Sequence, residues 1–262
     1  MFTKSRFSAV CAVLIMLVAG VAHADRSTKS FPLEGFTAIS LKGSSDLKVI
    51  QGDHFSVRAT GPEDAMAYAR AEIEGDTLKL FVESEKKFLF GVVTVSSEPE
   101  VKFQVTLPEI SALHVTGSGE ADADALESER LDLGVTGSGV IRIDRVAAEE
   151  LNTAVTGSGD LLIGTVLAVR GAAGITGSGD LRIENFVGEE LAAQIKGSGD
   201  MMIGGKVADV DITIMGSGDF VGRTLSAQNA GGAVMGSGDI VLRRPAHDSF
   251  SVMGSGDIAL VE

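Results

Sequence analysis

Ala154-Val155-Thr156-Gly157-Ser158-Gly159-Asp160-Leu161-Leu162-Ile163 decides how this chain folds. Apolar side chains stand two residues before Gly157 and four and six residues after it. Spacing by two on both sides of a glycine bend means strand, corner, strand; a helix would need a period of 3.6. Glycine reaches backbone angles that other residues avoid, so Gly-x-Gly turns a strand within few residues. The Gly-Ser-Gly triplet begins at Gly117, Gly137, Gly157, Gly177, Gly197, Gly216, Gly236 and Gly254, in steps of 20, 20, 20, 20, 19, 20 and 18 residues. A fixed period in this range marks stacked supersecondary units.

The repeats agree position by position. Two residues before the corner stand Val115, Val135, Val155, Ile175, Ile195, Ile214, Val234 and Val252, all β-branched. Four after it come Ala121, Ile141, Leu161, Leu181, Met201, Phe220, Ile240 and Ile258. A second bend closes each coil about halfway between corners, in segments such as Glu184-Asn185-Phe186-Val187-Gly188. The predicted fold is all-β: a two-sheeted, right-handed parallel β-solenoid of about 20 residues per coil, with coils about 4.8 Å apart. Like side chains then pile into columns.

Residues 1–24 read as a secretory signal peptide. Lys4 and Arg6 open it, residues 9–21 are mostly apolar, and Ala22-His23-Ala24 offers a small-x-small cleavage site. The one cysteine, Cys11, lies inside this segment, so an exported chain carries neither disulfide nor thiol chemistry. Export points to the periplasm, the cell surface or the medium. The net charge of −14 argues against nucleic acid and anionic membranes as partners. No second apolar stretch is long enough to span a bilayer.

Residues 25–110 are less regular than the repeat solenoid of residues 111–262. Ile39 to Val49 repeats the corner grammar with Gly43-Ser44-Ser45. Pro62 to Arg70 predicts a short helix, Gly75-Asp76 a hairpin turn, and Val93-Thr94-Val95 and 101–107 further strands. This part supplies a cap for one end of the solenoid, where strand edges and core would otherwise lie open.

Phe36-Thr37-Ala38-Ile39-Ser40-Leu41-Lys42-Gly43, Gly75-Asp76-Thr77-Leu78-Lys79-Leu80, Val105-Thr106-Leu107-Pro108-Glu109-Ile110 and the Val-Thr-Gly-Ser-Gly repeats together resemble the family described as "putative auto-transporter adhesin, head GIN domain". The resemblance covers nearly all of the chain after residue 24. It implies an exported bacterial β-solenoid and brings no catalytic motif with it.

Two sets of residues are candidates for function. Asp160, Asp180, Asp200, Asp219, Asp239 and Asp257 follow successive triplets and should form one acidic column. At about 4.8 Å, adjacent carboxylates repel by roughly 0.9 kcal/mol in water. Either backbone N–H groups at the glycine corner offset this, or a row of cations such as Ca²⁺ does; no other cofactor is expected. The second set is a flat outer face of small or uncharged residues before each corner: Thr116, Thr136, Thr156, Thr176, Lys196, Met215, Met235 and Met253, with His114, Gly134, Ala154, Gly174, Gln194, Thr213, Ala233 and Ser251 beside them. Met202, Val221 and Val241 should also point outward, across the corner. Apolar outward residues at Met202, Met215, Val221, Met235, Val241 and Met253 mark an interface. The expected partner is an envelope protein, a glycan or a second copy of the chain.

Catalysis has little support. His54, His114 and His247 have no triad or metal motif around them, and no loop is long enough to build a cleft around a carboxylate pair. The expectation is a non-catalytic surface module acting through its flat face and C-terminal end. The alternatives are a cation-dependent structural solenoid and a carbohydrate-active enzyme.

Overall fold

A computed structural model describes residues 26–83, 87–89, 92–94 and 101–262. The signal peptide reading, Cys11 and Val95 lie outside these residues. Glu120–Gly137, Val140–Gly157 and Asp160–Gly177 are strands of 18 residues each, running from one glycine corner to the next. They pair in parallel with a constant offset of 20 residues: Val135 opposite Val155, Val155 opposite Ile175, Ile175 opposite Ile195. The column continues through Ile214, Val234 and Val252. From Val115 to Val234 each of its members is at most 1% exposed.

The corners explain the triplet. From Gly43 and Gly117 through Gly254, nine stacked glycines have positive φ, between 100° and 143°. The third residue of the triplet is glycine for another reason. A Cβ at Gly159 would lie 2.3 Å from the Gly139 carbonyl oxygen and 2.6 Å from the Val135 side chain. Between the two glycines, the Ser158 N–H donates to the Gly137 carbonyl at 2.8 Å, and Ser138 and Ser178 repeat the bond. One position needs an unusual backbone angle, and the other needs room.

The bend expected around 184–188 is there, divided in two. Glu184 and Asn185 are both exposed, Phe186 is buried, and the chain turns again at Gly188 and Glu189. Each coil therefore has three inward runs. In one coil they are Ile141 with Ile143, then Val146, then Leu151 with Thr153 and Val155. Thr153 is the polar member, and its hydroxyl donates to the Ala172 carbonyl at 3.2 Å.

Ala38–Gly43 pairs with Ala112–Gly117 and sets Gly43 against Gly117, so the segment around residues 39–49 is a coil in register with the rest. Thr77–Val82 and Lys102–Leu107 add a further parallel layer beyond it. Antiparallel strands then close this end. Ala69–Glu74 pairs with Thr77–Val82, Ser56–Pro62 with Lys102–Leu107, and Arg26–Phe31 with Ser56–Pro62. The helix is shorter than the sequence predicts, Glu63–Met66, because Ala69 already belongs to the next strand and is fully buried. Ala65 and Met66 of the helix are buried as well. Among the described residues no helix is long and apolar enough to cross a membrane.

Candidate binding groove

Outward positions on the strand before each corner form three registered columns. Thr116, Thr136, Thr156 and Thr176 face one another coil to coil, followed by Lys196, Met215, Met235 and Met253. The middle column runs His114, Gly134, Ala154, Gly174, Gln194, Thr213. The third runs Asp132, Asn152, Ala172, Ala192, Asp211. The face is concave rather than flat. Two depressions of about 700 and 610 Å³ share Asn152, Ala172, Ala192 and Asp211 and so form one groove along the stack. Its floor is low because its central side chains are hydrogen or methyl. At its N-terminal end the His114 ring lies over Gly134, where an added Cβ would come within 3.0 Å of Nδ1.

One wall of the groove escapes the sequence reading. It begins just after the closing bend, whose place in the coil the period alone does not fix. There Arg130, Glu150, Arg170, Glu190 and Asp209 stack in register, with alternating charge at first. Arg130 Nη2 donates to Glu150 at 2.7 Å. Side-chain amides link neighbouring coils in the same way: Asn152 donates to Asp132 at 2.9 Å and Asn229 to Asp209 at 2.6 Å.

The aspartates form a column, and its chemistry is visible. The Asp219 N–H donates to Asp200 Oδ1 at 3.0 Å, Asp239 to Asp219 at 2.8 Å and Asp257 to Asp239 at 2.8 Å. The lower steps, Asp180 to Asp160 and Asp200 to Asp180, are 3.4 and 3.2 Å. The carboxylates from Asp160 to Asp239 thus accept from the next coil, whereas the last, Asp257, accepts from the neighbouring Ile258 N–H at 2.8 Å. Val140 offers no carboxylate to the coil above it, and there the Asp160 N–H donates to the Gly139 carbonyl at 3.0 Å. No three His, Cys, Asp or Glu side chains among the described residues converge to hold a metal ion. Asp200→Ala is expected to lose about 1 kcal/mol of stability with the bond, whereas Asp200→Asn keeps the acceptor, removes a like charge and melts no lower than the wild type. Thermal melts of the two variants check this; equal losses would mean that the side-chain acceptor is irrelevant.

The apolar residues picked out on the C-terminal coils do align. Lys196, Met215, Met235 and Met253 share one column, and Met202, Val221, Val241 and Ala259 share another. Met202 is 41% and Met253 62% exposed, while Met215 and Met235 are half-buried. The corner and its aspartates separate the two columns. The histidines are dispersed: exposed His54 pairs with Asp53 at 2.8 Å, His114 lies at one end of the groove, and His247 belongs to a strand near the C-terminus. Across the corner, burial pushes the Asp122 carboxyl above its usual range.

Residues 35–200 and 164–261 match the family model described as "putative auto-transporter adhesin, head GIN domain". The chain belongs to this family. The GIN-domain fold is also seen in crystal structures. A putative adhesin from Parabacteroides distasonis ATCC 8503 superposes with a TM-score of 0.78 at 19% identity, over 91% of this chain and 98% of its own. A putative adhesin from Parabacteroides merdae ATCC 43184 gives 0.80 at 20% identity, over 90% and 96%. A protein from P. distasonis described as a putative lipid binding protein gives 0.66 at 22% identity, over 91% and 97%. At these identities the likeness is one of fold. Comparison with curated proteins finds no match.

Proposed function

We propose that this GIN-domain protein is an exported, non-catalytic binding module of the cell envelope that holds an extended glycan along its groove. The observation that carries this is the continuity of the groove over successive coils, with a floor of Gly134, Ala154, Gly174, Ala172 and Ala192. A floor with no side chain larger than methyl lets a polymer lie close to the sheet. The walls present hydroxyls, amides and carboxylates once per coil, about every 4.8 Å. A β-1,4-linked sugar chain turns each ring over relative to the last and shows the same face on every second ring, a distance close to two coil spacings, so one set of contacts can recur along it. Sites of this kind place a few polar groups around a permissive surface. Membership of an adhesin-type family agrees with a role in binding, and nothing in the groove resembles a nucleophile with its base.

Gly174 allows a clean test. A Cβ there meets nothing nearer than the Thr153 carbonyl oxygen at 3.9 Å. Gly174→Arg should therefore fold and fill the middle of the groove. Titration calorimetry of the full chain with a β-1,4-linked N-acetylglucosamine hexamer is expected to show binding that Gly174→Arg weakens by more than about tenfold, a change of 1.4 kcal/mol. Absence of binding to the wild type, or equal binding by the variant, would overturn the proposal.

A further inference from the structure

We infer that the glycan held in this groove carries free amino groups, bound by the carboxylates of the wall. The inference rests on the glycan reading above and adds the charge of the ligand. Carboxylates outnumber cations along the groove. Arg142, Arg182, Arg223 and Arg243 lie beyond the corner, outside the groove. Along it, Asp132, Glu150, Glu190, Asp209 and Asp211 stand against two arginines of the wall, Arg130 and Arg170. Some of these acids are occupied: Glu150 by Arg130, Asp132 by Asn152 and Asp209 by Asn229. Glu190 and Asp211 are exposed and have no side-chain partner among the described residues.

Glu190 pairs in register with Asp209, and Asp211 lies two residues further along the same strand. With strands about 4.8 Å apart and residues about 3.3 Å apart along a strand, the two sit about 8 Å apart. The two free carboxylates therefore flank one stretch of the groove floor at Ala192. A cleft lined by one sign of charge concentrates ligands of the other sign. An ammonium on a sugar ring lying over Ala192 would meet either carboxylate, while the ring hydroxyls keep the contacts of the neutral chain. A lysine-rich peptide shares the charge but lacks a repeat that matches two coil spacings.

The test compares β-1,4-linked glucosamine hexamer with its N-acetylated counterpart on the full chain. Below the amine pKa and at low salt, the glucosamine hexamer should bind at least about tenfold tighter, and added salt should narrow the gap. Glu190→Gln with Asp211→Asn should abolish the preference, so that the variant binds the two hexamers alike. Equal affinity of the wild type for both hexamers would overturn this inference and leave the glycan reading standing. Binding by neither would overturn both. A hexalysine peptide that displaces the glucosamine hexamer at lower concentration would overturn it in favour of a basic protein ligand.

Discussion

Gly177→Ala should destabilise the chain by about 3–5 kcal/mol, a loss that few surface substitutions approach. Two costs add. Gly177 has φ of +129°, where a side chain costs roughly 1–3 kcal/mol. Its new Cβ would also lie 2.3 Å from the Gly157 carbonyl oxygen, a backbone atom that cannot move without disturbing the coil beneath. That oxygen accepts from the N–H groups of both Ser178 and Gly179, so the strain spreads to the corner bonds. Three residues earlier the opposite is expected. Gly174 has open space at its Cβ, and alanine there should be neutral or stabilising by about 0.4–1 kcal/mol, because it restricts the unfolded chain. The two alanines are compared by shifts in urea midpoint. Similar shifts would show that the corner glycines are not held by close stacking.

The second large effect concerns Phe186 and Gly171. Leu126, Val146, Val166 and Phe186 form one inward column, each fully buried. Leu131, Leu151, Gly171 and Leu191 form another, in which one leucine is missing. The Phe186 ring takes its place: a Cβ at Gly171 would lie 2.6 Å from Cε2. Phe186→Val should leave a cavity and cost about 2–4 kcal/mol. Gly171→Leu alone should overpack the same space at a cost of about 3 kcal/mol. Together they restore the pattern of the neighbouring coils, and the double variant should lie within about 1 kcal/mol of the wild type, giving a coupling of several kcal/mol. Additive losses would mean that the two residues do not share one space.

Much of this was legible in the residues. The glycine period and the β-branched positions before it place Val155, Ile175 and Ile195 in one column, where they are found. Gly134, Ala154 and Gly174 of the groove floor were readable as outward, whereas Ala172 and Ala192, one step further from the corner, were not. What periodicity misses is what depends on the rest of the coil. The closing bend divides around Phe186, which sets the phase of Glu150, Arg170 and Glu190 and so hides the acidic wall. The aspartate column was readable, but its donors were not, since they come from the next coil and not from the local turn. The layer beyond the first coil was also hidden. It brings Thr77–Val82 against Ala38–Gly43 through pairings that no local pattern encodes.

The most direct measurement of the central claim is the backbone amide NMR footprint of the bound N-acetylglucosamine hexamer on the full chain. A glycan lying along the groove should shift amides near residues 133, 153, 173, 193 and 212, one cluster per coil. The aspartate column and the arginines beyond the corner should be untouched. Shifts confined to a single coil, or centred on the aspartates or the C-terminal methionines, would contradict it.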